Sequence, residues 1–163
     1  MPSPTNLMDA YIDELRDLWS ANDQMQEIVK HFVREAMDGR LKHSLETAAA
    51  RIGEHTATLM SLAEAAGAAD KQHCRGMEGL VREAKTQIVE SGSGNDNLND
   101  LLIISQYQRM SHYGLATFGT AAAYARALNR SNDEKALKSI VADIYKGDEI
   151  ASRLAERLEA AAA

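Results

Sequence analysis

Four otherwise apolar helical stripes carry polar side chains near their middles. Asn22 interrupts the series Leu7, Tyr11, Leu15, Leu18, Met25, Val29, Phe32 and Ala36. Arg51 and His55 stand beside or within Leu41, Leu45, Ala48, Ile52, Leu59, Leu62 and Ala66. Gln108 and Ser111 break Leu101, Ile104, Leu115, Phe118, Ala122 and Ala125. Asp148 follows Ile144 in the series Leu137, Val141, Ala151, Leu154 and Leu158. In a bundle these interruptions fall at a common height, where cofactor sites are built from side chains on facing helices.

The chemistry such a layer could support is metal binding. A di-iron site needs a glutamate from each of two helices and a Glu-x-x-His pair from each of the other two, because two cations in a dry core require several anionic oxygens and a few imidazoles. This chain offers one inward carboxylate, Asp148, and one inward imidazole, His55, beside the fixed cation Arg51. The set therefore reads as core polar groups that hold helix register. An altered or mononuclear metal site, or a misassigned helix face, are the alternatives. On the first reading Arg51 stands in for metal charge, pairing with Asp148 and bonding to Asn22, Gln108 or Ser111.

Other candidates are weaker. His31, His43, His73 and His112 do not converge on one helical face, and no two histidines stand at i, i+4. His73-Cys74 is a possible two-ligand corner, although two ligands do not close a metal site, and Cys74 reads equally well as a packed thiol. The segment SGSGND, 91–96, lacks the lysine and preceding strand of a phosphate loop. Asp13, Glu14 and Asp17 form an acidic cluster expected on a solvated face.

The elements that must position these residues are helices. The chain has 163 residues and two prolines, Pro2 and Pro4, so the strongest helix breaker is absent beyond the first few positions. The spacing predicts a helix capped by Thr5 or Asn6 and stopped by Asp38-Gly39. A second helix ends at Gly67. After a connector over 68–76 comes a shorter amphipathic helix over 77–90. A third long helix starts near Asn95 or Asp96 and ends at Asn129-Arg130. A fourth begins at a Ser131/Glu134 capping box. The tight loops make each long pair antiparallel, and the segment 67–95 is a long crossover. The expectation is one all-α domain over 1–163, with a loose arm at 1–4 and a frayed tail at 159–163.

Composition excludes several classes. A net charge of −6 with no basic run argues against nucleic acid. No apolar run approaches the roughly 20 residues that span a bilayer, and the N-terminus lacks a signal-peptide pattern. A single cysteine excludes an internal disulfide. These features describe a soluble, cytoplasmic protein.

Three segments, DELRDLW at 13–19, CRGMEGL at 74–80 and QRMSHYGLATFGTAAAYA at 108–125, resemble the YciE/YciF family of bacterial stress-associated proteins. The likeness runs from about residue 7 to 158, and LKHSLETAAARIGEHTATLMSLAEAAG, 41–67, keeps the family's length and closing glycine. The resemblance implies a ferritin-like four-helix bundle with one short extra helix in the crossover between helices two and three. It also implies a glutamate where this chain has Asn22, and His-x-x-Glu where it has Ala48 and Arg51. It implies glutamates around a His-Tyr where Ser111 and Gly114 flank His112-Tyr113, and a glutamate and an aspartate where Ile144 and Asp148 stand. Of these ligand positions only Asp148 keeps a carboxylate.

Taken together, the sequence points to a ferritin-like stress-associated protein without a working di-iron centre, with a structural or interaction role rather than catalysis. No cofactor is expected on this reading. The alternative is an iron-binding oxidoreductase or storage protein, with His55, Asp143, Asp148 and Glu149 as its candidate ligands. A third reading is a small apolar ligand seated where Ala48 and Gly114 replace larger residues. A homodimer is expected, with Trp19, Tyr107 and Tyr113 as candidate surface, alongside an unidentified protein partner.

Overall fold

A computed structural model describes residues 3–68, 70–90 and 94–162. Met1 and Pro2 of the expected arm, residue 69 of the connector, the 91–93 part of the SGSGND loop and Ala163 lie outside them. Among the described residues every regular element is helical. The long helices are α1 (Leu7–Glu35), α2 (Gly39–Ala65), α4 (Asp96–Ala127) and α5 (Ser131–Ala162). The short α3 (Arg75–Ala84) continues directly into a π-helical stretch, Lys85–Glu90, within the crossover.

The caps explain most boundaries. Asn6 opens α1, its side-chain oxygen accepting from the Asp9 N–H at 2.9 Å, and Asn95 does the same for Leu98 at the start of α4. Gly67, at φ +93°, takes the left-handed conformation that ends α2, and Asn129, at φ +59°, does so after α4. Two boundaries differ from the sequence reading. Asp38-Gly39 does not stop the first helix, which ends at Glu35 and leaves through an extended Ala36. Asp38 instead caps the next helix, accepting from the N–H groups of Arg40 and Leu41. Ser131 is already the first helical residue of α5, and Glu134 pairs with Arg126 and Lys138 at 3.1 and 2.6 Å.

The topology follows from which ends meet. Asn99 and Asp100, at the start of α4, bond to the backbone of Glu35, Met37 and Asp38 at the α1–α2 turn. Arg157, late in α5, reaches Asp38 at the same end. Tyr11, early in α1, donates to Asp133 early in α5 at the other end. Helices α1 and α2 therefore form one antiparallel hairpin and α4 and α5 a second. Helices α2 and α4 run parallel, which is why a crossover along the bundle is needed.

That crossover is tied to α1. Arg16 holds both the carbonyl and the carboxylate of Asp70, Lys71 pairs with Asp23, and the Cys74 N–H donates to Ser20 Oγ at 3.0 Å. α3 then lies over α1 and α4, so α4 is buried on a second side that its single expected stripe does not include. Gln106, buried on that side, donates to Gln87 at 2.6 Å, and Ile103, Tyr107, Met110 and Ala121, also off the stripe, are buried as well.

The core divides into two apolar clusters. One gathers Met25, Val29, Phe32, Leu41, Leu45, Ile52, Met77, Ile104, Met110 and Leu154. The other gathers Tyr11, Leu15, Leu18, Leu59, Phe118, Ala122, Leu137 and Ile140. His55 and Ser111 fall in sequence between members of the two clusters, and Asn22 follows Ala21, the first α1 member of the one and three residues beyond Leu18 of the other, which puts all three near the boundary.

Candidate functional site: a cavity at mid-bundle

At that boundary lies a cavity of about 460 Å³. Seven of the nine residues expected in the central layer line it: Asn22, Ala48, Arg51, His55, Ser111, Gly114 and Ile144. Apolar walls complete it, among them Met25, Met77, Met110 and Phe118. Small residues keep the space open. A Cβ at Gly114 would come to 3.5 Å from Ile144 Cδ1, and one at Gly147 would press on the Tyr107 hydroxyl at 3.0 Å.

The cavity opens on the seam between α2 and α5. From α2 come Arg40, Ser44, Thr47 and Arg51, a line at four- and three-residue steps. From α5 come Asp143, Lys146, Gly147 and Ile150. The helical period places each series on one face. This polar line on α2, alongside the apolar stripe, was readable in the sequence, but nothing in a single stripe says that a seam will leave it facing an opening.

Three side-chain atoms within the cavity wall have no hydrogen-bond partner: Asn22 Nδ2, His55 Nε2 and Ser111 Oγ. Their residues are 6 %, 7 % and 2 % exposed. His55 Nε2 stands 3.5 Å from Asp143 Oδ2, an ion-pair distance without hydrogen-bond alignment. Burial lowers the His55 pKa, with the Asp143 carboxylate opposing that shift, so the imidazole is neutral near pH 7. Its edge packs against Phe118, with ring centroids 6.3 Å apart. Tyr107 is buried beside Ser111, and desolvation raises its pKa.

The remaining two residues of the expected layer lie elsewhere. Asp148 accepts from Gln108 Nε2 at 3.0 Å and faces His112 Nε2 at 3.2 Å, in the seam between α4 and α5. Gln108 also donates to Ser152. Arg51 does not pair with Asp148. Its side chain is 55 % exposed, and it reaches Asp143 at 3.4 Å and Glu54 at 3.8 Å. The reason is helical phase: Asp143 and Asp148 are five residues apart, about 140° around α5, so they face different neighbours. For the same reason the alternative ligand set does not assemble. His55 and Asp143 approach each other, Asp148 faces away, and Glu149 pairs with Arg153 on an exposed surface. Among the described residues no three His, Cys, Asp or Glu side chains gather closely enough to hold a metal ion. The residues present do not fit a di-iron pair.

The His73-Cys74 corner does not form either. His73 turns to Glu78 at 3.1 Å. Cys74 is fully buried, with Sγ accepting from the Met77 N–H and lying 3.1 Å from the Tyr113 hydroxyl. Tyr113 donates onward to Asp17 at 3.2 Å. Burial pushes the Cys74 thiol and the Tyr113 phenol up. Tyr113 packs over Gly76, where a Cβ would meet its ring at 2.9 Å. Tyr107 is buried, and Trp19 and Tyr113 are half-buried against the core, so these three do not make the exposed apolar surface expected of them. The exposed large apolar side chains among the described residues are Leu7, Met37, Met60, Val89, Leu98, Tyr145 and Ile150, spread over several elements.

Comparison with known proteins places this geometry in context. A family model described as a domain of unknown function, DUF892, matches residues 6–163. Protein YciF of Escherichia coli K12 is 26 % identical over 132 residues, 80 % of this chain and 78 % of that protein. The crystal structure of the E. coli stress protein YciF superposes with a TM-score of 0.85 at 22 % identity, covering 95 % of this chain and 98 % of that one. YcfI from Rhodopseudomonas palustris, described as a candidate structural protein, also gives 0.85, at 19 % identity over 93 % and 98 % of the two chains. Protein XCC3681 of Xanthomonas campestris pv. campestris gives 0.73 at 14 % identity, over 96 % and 94 %. The chain belongs to the DUF892 family, the family of YciF.

Proposed function

We propose that this chain is a stress-associated member of its family that works as a structural or interaction protein and has no functional di-iron centre. The observation that carries this reading is the composition of the mid-bundle layer. By the family resemblance Ala48, Gly114, Ile144 and Asn22 stand where a metal pair would need carboxylates, and among the described residues Asp143 is the single carboxylate lining the cavity. Arg51 lies against that carboxylate, so a divalent cation would meet a fixed positive charge. The stress association draws on the likeness to YciF, which is called a stress protein. The reading takes the protein to be cytoplasmic; among the described residues no helix is long and apolar enough to cross a membrane. It also takes the protein to act as a homodimer or with a protein partner, through the exposed apolar side chains of α5, Tyr145 and Ile150.

The test is metal content. The purified chain is incubated anaerobically with ferrous iron, desalted, and its iron per chain measured by mass spectrometry. Near-zero iron is expected. Retention of one or two irons per chain would overturn the reading and make oxygen-dependent redox chemistry the leading alternative.

A further inference from the structure

The cavity has three properties that together define what fits it. Its volume of about 460 Å³ lies within the roughly 300–1,000 Å³ of small-molecule sites. Its walls are mainly apolar and include three methionines, whose unbranched side chains repack around varied shapes. Its polar features are split between two depths. Deep inside are Asn22 Nδ2 and Ser111 Oγ, buried and without partners, and His55 Nε2, which faces Asp143 Oδ2 at 3.5 Å. An amide nitrogen can only donate, and a hydroxyl can donate or accept. His55 is neutral and turns Nε2 toward Asp143, which favours the tautomer with its proton on that nitrogen. An oxygen atom on a bound molecule would satisfy Asn22 and Ser111, and burying such groups without partners costs free energy.

The mouth has a different character. Arg40, Arg51 and Lys146 are exposed there, three cations against Asp143, which both Arg51 and Lys146 approach, and Glu54 beside Arg51. In a chain with a net charge of −6, this local excess of cations is contrary to the overall balance and attracts an anion. An apolar molecule with no charge would leave the mouth unused, and a polyanion could not fill the apolar interior.

We propose that the cavity binds a small amphipathic carboxylic acid. Its carboxylate sits beside Arg51 and Lys146, and an uncharged oxygen on its apolar body is bonded by Asn22 and Ser111. This site rests on the reading above, in which no metal pair occupies the mid-bundle layer. It extends that reading by giving the fold a ligand.

The experiment is calorimetric titration of the full chain, stripped with EDTA, against three probes. 8-Hydroxyoctanoate carries both polar groups, octanoate lacks the inner oxygen, and octan-1-ol lacks the carboxylate. The first is expected to bind about five- to tenfold more tightly than either of the others, the effect of one net hydrogen bond or one ion contact. Ala48→Phe, which fills the cavity, should abolish binding of all three. The exposed pair Arg51→Gln and Lys146→Gln leaves the core untouched. It should weaken octanoate about tenfold, a shift of about 1.4 kcal/mol, and leave octan-1-ol unchanged. Absence of binding by every probe, equal affinity for octan-1-ol and 8-hydroxyoctanoate, or binding that survives Ala48→Phe in a folded protein would each overturn the proposal. Because the titrated chain is metal-free, iron retention in the separate loading assay bears on the earlier reading and does not alter this outcome.

Discussion

Glu14 shows how far a residue's setting can depart from its type. With Asp13 and Asp17 it reads as part of a solvated acidic face, yet burial and the nearby Asp17 raise its pKa from the usual 4.5 to about 7. The folded chain then keeps a proton at Glu14 that the unfolded chain has already lost between about pH 4.5 and pH 7. The stability this group contributes is full below 4.5 and is lost as pH rises through 7. Glu14→Gln removes the ionisation. In urea denaturation across pH 4 to 8, the variant should gain stability relative to the parent as pH rises, with most of the change before pH 7. A parallel pH dependence in the two proteins would show that Glu14 is not protonated in the fold. At the same scale, Arg51 illustrates the converse error. An unpaired buried charge is costly, so it was natural to seek Asp148 for it, but its long side chain reaches solvent at the seam and takes Asp143 instead.

At the scale of elements, the start of α5 is set by interactions that its own sequence does not display. Tyr11 of α1 is fully buried and donates to Asp133 at 2.9 Å, while Arg130 pairs with that same carboxylate and stacks 5.6 Å over the tyrosine ring. Three groups from two distant segments thus anchor one helix end. Removing the hydroxyl leaves a carboxylate that has lost a buried donor, and hydrogen bonds to charged groups are worth about 1.5–3 kcal/mol. Tyr11→Phe should lower stability by about that amount in equilibrium denaturation, with the helix content of the folded state unchanged. The helical stripes themselves, the glycine at Gly67 and the cap at Asn95 were legible in the chain because they depend on neighbours within a turn or two. The misread cap at Asp38 had the same local signature as a helix end. Only the direction in which its carboxylate turns, toward Arg40 and Leu41, separates the two.

At the scale of the molecule, two helical hairpins must be joined so that α2 and α4 run parallel. Asp100 is central to that joint. It is 1 % exposed, and its two oxygens accept from the N–H groups of Met37 and Asp38 at 2.9 and 2.8 Å. A carboxylate in the first turns of α4 therefore satisfies the turn of the other hairpin. Asp100→Ala would remove the charged acceptor of both N–H groups, and hydrogen bonds to charged groups are worth about 1.5–3 kcal/mol each. The expected loss of about 3 kcal/mol would appear as a lower urea midpoint with an unchanged slope. Loss below about 0.5 kcal/mol would mean that water replaces the carboxylate there. Asp100 was missed in the sequence because it lies outside the stripe of α4. Its meaning depends on a turn 62 residues away.

The amino-acid sequence by itself determined the helical class, the four long helices, the crossover and the family, since periodicity, glycine placement and short motifs are local properties of the chain. It also showed which residue types break the apolar stripes. Tertiary structure decided which of those residues face one another. Asn22, His55 and Ser111 share a cavity, whereas Gln108 and Asp148 share a different seam, because a few residues of helical phase rotate a side chain from one neighbour to the next. The mouth between α2 and α5, with Arg40, Arg51 and Lys146 around it, exists only once two separate hairpins are packed together. A cavity is a relation among helices, and no single stripe encodes it.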